Sequence, residues 1–151
     1  MTAAHRYRGL PIMLLIVVVI AGCGANSLSA GQLRTRATRI CTLAQRRTAR
    51  IATPALPSQG ARFLGGGVAA LAPELTALRR LRAPTDLAAH YRTALTATAQ
   101  ELAALRSSLK GLKAGNDPVV AIKTLQTQLT PLEARAAGAW GALDLPACQG
   151  H

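Results

Sequence analysis

From residue 30 onward the apolar residues recur in steps of three and four, the spacing that gathers side chains on one face of an α-helix. Leu33, Ala37, Ile40, Ala44 and Ile51 mark the inner face of a first helix running to about Thr53, and its other faces carry arginine. The stretch Thr53-Pro54-Ala55-Leu56-Pro57-Ser58-Gln59-Gly60 reads as a loop, because its prolines lack an N–H donor and obstruct the preceding turn. A second stripe follows at heptad-like spacing: Leu64, Val68, Leu71, Leu75, Leu78 and Leu81. Gly65, Gly66 and Gly67 weaken its first turns, so its firm part is expected after them, and Pro73 before Glu74 marks either a kink or a new start. Thr85 is the expected N-cap of a third helix, with Asp86 in the first turn where the helix dipole favours negative charge. Leu87, Tyr91, Leu95, Thr98, Leu102, Leu105, Leu109 and Leu112 form its stripe, and Gly111 and Gly115 its fraying end. Asp117 as cap and Pro118 at the first helical position open a fourth helix, striped by Val119, Ile122, Leu125, Leu129 and Leu132. Thr130-Pro131-Leu132-Glu133 has the form of a capping box that bends or restarts this helix before Ala136, Trp140 and Leu143 carry the apolar face toward Cys148. Four stripes of comparable length joined by short connections predict an all-α fold, an antiparallel up-and-down four-helix bundle over residues 31–151.

Composition agrees with this pattern: half of the chain is apolar but only 3% is aromatic, so the core is built from Leu, Val, Ile and Ala, which favour helix over sheet. The segment ahead of the bundle has a different character. His5, Arg6 and Arg8 precede an unbroken apolar run from Leu10 to Ala21. That run falls short of the roughly 20 residues a spanning helix needs and suits a signal peptide, with small residues directly after it. A soluble secreted protein and an uncleaved anchor helix are the alternatives. Tyr7 separates Arg6 from Arg8, so there is no twin-arginine pair and the general secretory route is expected.

Ile20-Ala21-Gly22-Cys23 resembles the lipobox of bacterial lipoproteins: a branched aliphatic residue, two small residues and a cysteine. The resemblance implies a signal peptide over residues 1–22, a diacylglyceryl group on the Cys23 thiol, and a tether over residues 23–30 that holds the domain on the extracytoplasmic side of the cell membrane. Two or three acyl chains anchor firmly, since each buried methylene adds about 0.8 kcal/mol. With Cys23 lipidated, Cys41 and Cys148 remain as an even pair in an oxidising compartment, and a disulfide is the simple reading. Metal binding is its rival, but two isolated cysteines without neighbouring histidines fall short of a zinc set. An up-and-down bundle brings the start of the first helix and the end of the fourth to one pole, with the tail folding back. Ile40-Cys41, Leu81-Arg82-Ala83-Pro84 ahead of Tyr91, Gly115-Asn116-Asp117-Pro118 and Leu145-Pro146-Ala147-Cys148 together resemble small helical lipoproteins of high-GC actinobacteria. That likeness implies a helical fold with a terminal disulfide and no established activity.

The net charge of +12 is almost entirely arginine. Arg34, Arg36, Arg39, Arg46, Arg47 and Arg50 follow the anchor closely and are candidates for contact with anionic headgroups or wall polymers. The alternative is an ordinary solvated face in an arginine-rich, high-GC composition. Nucleic acid is a poor partner, for lack of aromatic stacking residues and of access outside the membrane. Candidate chemistry is thin. Asp86 and His90 sit one helical turn apart, a spacing more typical of a surface contact than of a catalytic dyad or a haem or metal ligand. Acid and base work would have to come from Glu74, Asp86, Glu101, Asp117, Glu133 and Asp144, several of which stand where helix caps and first turns want them. Gly65-Gly66-Gly67 lacks the strand and lysine of a phosphate loop, and Trp140 reads as a core anchor. No residue is assigned to catalysis, a cofactor or a metal. The expectation is a non-enzymatic interaction or structural module at the cell envelope; the alternative is a carrier whose Leu-lined bundle opens around a small apolar ligand or lipid.

Overall fold

The computed structural model describes residues 27–150, which form four α-helices and two short 3-10 turns. The proposed signal and Cys23 lie outside the described residues. Helix α1 spans Ala30–Thr48, α2 Gly60–Arg79, α3 Ala88–Lys113 and α4 Pro118–Ala142, each packed on the next through a short reversal. This is the expected all-α four-helix bundle.

Local chemistry accounts for most of the boundaries. At the start of α1, Ser29 Oγ accepts from the Gln32 N–H at 3.2 Å while Gln32 Oε1 accepts from the Ser29 N–H at 3.0 Å, a reciprocal capping box. The helix ends at Thr48, short of the expected Thr53. Its last turn tightens as the Arg50 and Ile51 N–H groups donate to the Arg47 and Thr48 carbonyls, and Pro54 then disfavours helical backbone at Thr53.

Helix α2 runs straight through the three glycines instead of starting after them. A 3-10 turn at Pro57–Gln59 prepares its first turn, and tertiary packing outweighs the low propensity: a Cβ on Gly66 would lie 3.1 Å from Ile51 Cγ2, so Ile51 crosses α2 where a side chain is missing. Pro73 and Pro131 both sit inside continuous helices, and neither divides its helix. Both are exposed, as are Ala69 and Thr127 four residues earlier, so the carbonyls that lose an N–H partner face water. No capping box forms at Thr130, whose hydroxyl donates to the Gln126 carbonyl at 3.0 Å inside α4.

Thr85 does not cap α3 either. A turn through Pro84–Leu87 leads into the helix, with Leu87 at the N-cap position and no side-chain cap bond. The far end of α3 is sharply defined. Gly115 adopts φ 92°, the Gly115 N–H donates to the Leu112 carbonyl at 3.2 Å and the Asn116 N–H to that of Gly111 at 3.0 Å, a Schellman closure that only glycine adopts without strain. Asp117 then caps α4 as expected, its Oδ1 accepting from the Val120 N–H at 2.9 Å.

The main core lies toward the pole that holds both the start of α1 and the end of α4. Leu33, Leu78, Leu143 and Leu145 are fully buried there around Trp140 and Tyr91. The Tyr91 hydroxyl donates to the Leu78 carbonyl at 2.6 Å, and its ring meets Trp140 edge to face at 5.8 Å. After α4, Asp144 takes a left-handed φ of 58° and turns the tail back, so that Cys148 reaches Cys41 across 107 residues and forms the disulfide, with Cα atoms 5.1 Å apart. Helix α1 packs on α2 and on this returning tail more than on α4. Gln45 Nε2 donates to the Ala147 carbonyl at 2.9 Å and Arg34 Nε to that of Leu143 at 3.1 Å.

Candidate functional site: a carboxyl-lined cavity

Helix α1 has 19 residues and α4 has 25, so at about 1.5 Å per residue α1 falls about 9 Å short of its neighbour. Beyond Thr48, Ile51 reaches across. There a partly open cavity of about 180 Å³ remains, lined by α2, α3, α4 and the end of α1. Leu64 and Leu71 of α2, Leu105 of α3 and Leu129 of α4 give it apolar walls, and Phe63 stands half-exposed beside them. Gly67 also lines it, and a Cβ there would meet nothing within 4 Å.

Three of the chain's six acidic residues line this space: Glu74 from α2, Glu101 from α3 and Glu133 from α4. Glu74 is 2% and Glu101 6% exposed, whereas Glu133 is exposed and marks the rim. Each follows the spacing of its helix's apolar stripe, Glu74 and Glu101 on the inward side and Glu133 at its edge. Glu74 lies three residues after Leu71 and four before Leu78, Glu101 four before Leu105, and Glu133 four after Leu129 and three before Ala136.

Burial favours the neutral form of these acids. It raises Glu74 from its ordinary 4.5 to about 8, with the negative charge of Glu101 adding to the effect. Glu101 rises to about 7, again first through burial and then through Glu133. No lysine, arginine or histidine lines the cavity among the described residues, and the Thr48 hydroxyl is engaged with the Ala44 carbonyl at 3.0 Å. The described lining therefore offers these carboxyls no cationic side chain. Among the described residues no group of three or more His, Cys, Asp or Glu could hold a metal ion, so the three glutamates converge on a space without forming a cation cage.

The residues singled out from the sequence are distributed differently. Cys41 and Cys148 are joined. Arg36, Arg39, Arg46 and Arg47 share one exposed face of α1. Arg34 departs from that set: it lies on another side of the helix, tied to the Leu143 carbonyl and 3.8 Å from Asp144. Arg50 lies past the end of α1. Asp86 and His90 are both exposed, and no hydrogen bond joins them among the described residues. Of the carboxylates expected at caps and first turns, Asp117 is one, but Asp86 precedes α3 and is not in its first turn, and Glu74 and Glu133 are brought together with Glu101 instead. The readable signal was an acid standing on an apolar stripe, on three helices in turn.

Among the described residues no helix is long and apolar enough to cross a membrane. Compared with known proteins, the chain matches no family model, no curated protein and no solved structure.

Proposed function

We propose that this chain is a lipid-anchored, extracytoplasmic binding module whose helical bundle holds a small, mostly apolar ligand in the cavity between α2, α3 and α4. The observation that carries this reading is the cavity itself. An apolar cavity of about 150 Å³ is enough to take up benzene, so about 180 Å³ suits a molecule of one ring or a short branched chain. The carrier reading thereby moves ahead of a purely structural or interaction role. Membrane attachment is supported by the lipobox-like Ile20-Ala21-Gly22-Cys23, and the exposed arginines of α1 would lie close to the headgroups, at about 1 kcal/mol each before screening.

Binding is favoured over turnover by what surrounds the acids. Among the described residues the lining holds no serine, cysteine, histidine, lysine or arginine, the side chains that commonly serve as nucleophile, base or cationic stabiliser in acyl or phosphoryl chemistry. Native mass spectrometry of the protein purified from its own membranes tests the proposal. The expected spectrum carries a diacylglyceryl increment and a small non-covalent mass, and Gly67→Leu, which plugs the cavity, loses the latter alone. A lipidated protein that carries no such mass and takes up no small aromatic probe would refute it.

A further inference from the structure

Among the described residues the cavity lining holds three carboxyls and no cationic side chain. Glu101 is decisive here: it is more than nine-tenths buried, lines the cavity, and has no hydrogen bond or ion pair within the described residues. The charged groups facing it from the packed helices are Glu74 of α2 and Glu133 of α4, both acidic. A buried carboxylate without a counter-charge is costly, and the cost is removed either by a proton or by a cation that enters the site.

Resting on the binding role proposed above, we infer that the ligand is a small organic cation, an ammonium group on a compact hydrocarbon body, with its head against Glu101 and its body among Leu71, Leu105 and Leu129. The lining carries both functions: Glu74, Glu101 and Glu133 bring carboxyls from three helices, and Leu71, Leu105 and Leu129 bring apolar walls from the same three. A free amine and a metabolite that carries one present the same head, and the compact body is fixed by the space available. Once ionised, these acids repel anions, even though the protein as a whole is strongly basic.

Binding also exchanges charge. Near neutral pH the buried acids hold protons because burial raises Glu101 to about 7 and Glu74 to about 8, so an arriving ammonium displaces a proton into solvent. Affinity for the cation therefore rises as pH increases toward about 8 and levels off above it.

Calorimetric titration of the purified protein, with benzylamine, benzyl alcohol and benzoate as probes, tests the inference. Benzylamine is expected to bind at least about tenfold more tightly than benzyl alcohol near pH 8, with benzoate not binding. That preference should shrink about tenfold near pH 5.5, and buffers of different ionisation enthalpy should reveal proton release on binding. Glu101→Gln should abolish the preference while keeping benzyl alcohol binding, and Glu133→Gln at the exposed rim should weaken it without altering a buried position. Equal binding of benzylamine and benzyl alcohol would overturn the inference and leave the binding role standing. Failure of every probe would overturn both, and a preference that survives both substitutions would overturn the assignment to these acids.

Discussion

Raising the pH should destabilise this protein across the neutral range, contrary to the usual behaviour of carboxylates. A salt-bridged acid has its folded-state pKa lowered and loses stability on acidification, whereas Glu74 and Glu101 are raised from 4.5 to about 8 and about 7. Between those limits the folded state binds more protons than the unfolded one, so stability is highest near and below pH 4.5 and falls until about pH 8. At about 1.4 kcal/mol for each factor of ten in proton affinity, Glu101 accounts for about 3 kcal/mol and Glu74 for about 5. Burial is the first cause of both shifts, with the Glu101 charge adding to that of Glu74 and the Glu133 charge to that of Glu101, so the pair together is worth several kcal/mol, a large share of the roughly 5–15 kcal/mol that typically holds a domain folded. Urea unfolding followed by circular dichroism at intervals from about pH 4.5 to 9 measures this directly. Glu101→Gln should roughly halve the fall, because it removes one titrating acid and the charge that repels Glu74. A flat or rising profile, or an unchanged slope in Glu101→Gln, would refute the electrostatic picture of the cavity.

Three further outcomes follow from the packing. Reducing the Cys41–Cys148 bond, or replacing Cys148 with serine, should cost about 4 to 5 kcal/mol by chain entropy over so long a loop; a loss under about 1 kcal/mol in urea unfolding would show that the returning tail is held by Leu143 and Leu145 alone. Gly67→Ala should stabilise α2 by up to about 1 kcal/mol because its Cβ enters open space, while Gly66→Ala should gain less because Ile51 must give way; the reverse order of melting temperatures would contradict the placement of Ile51. Tyr91→Phe should cost about 1 kcal/mol, since the Leu78 carbonyl keeps the Leu81 N–H as a donor, and a loss above about 3 kcal/mol would mean that the hydroxyl does more than donate to it.

The helices were legible in the sequence because their stripes are long and their interiors uniform. The fourth N-terminus was legible too, since Asp117-Pro118 combines a side-chain cap with a residue that has no N–H to satisfy. Where local signals failed, tertiary contacts had decided the matter. The glycines of α2 look like a helix-breaking run until Ile51 is placed against Gly66, and Thr130-Pro131-Leu132-Glu133 looks like a cap until α4 is seen to gain more from continuing along α3 than from stopping. The cavity was hidden for a related reason. A glutamate on an apolar stripe reads as a cap or a surface residue while each helix is considered alone. That Glu74, Glu101 and Glu133 line one cavity depends on helix lengths and registers, and above all on the early end of α1 at Thr48, which was expected at about Thr53. The arginines show the converse. Their density along the first helix was plain, but the return of the chain at Asp144, which draws Arg34 out of the set, comes from a part of the sequence far from it.

The most direct test of a ligand site in this bundle is a methyl NMR titration of the leucine-labelled protein with benzylamine near pH 8. Saturable shifts confined to Leu64, Leu71, Leu105 and Leu129, with Leu33 and Leu78 of the main core unmoved, are the expected result. Shifts spread evenly over both sets, or none at concentrations where the probe remains soluble, would contradict a binding cavity between α2, α3 and α4.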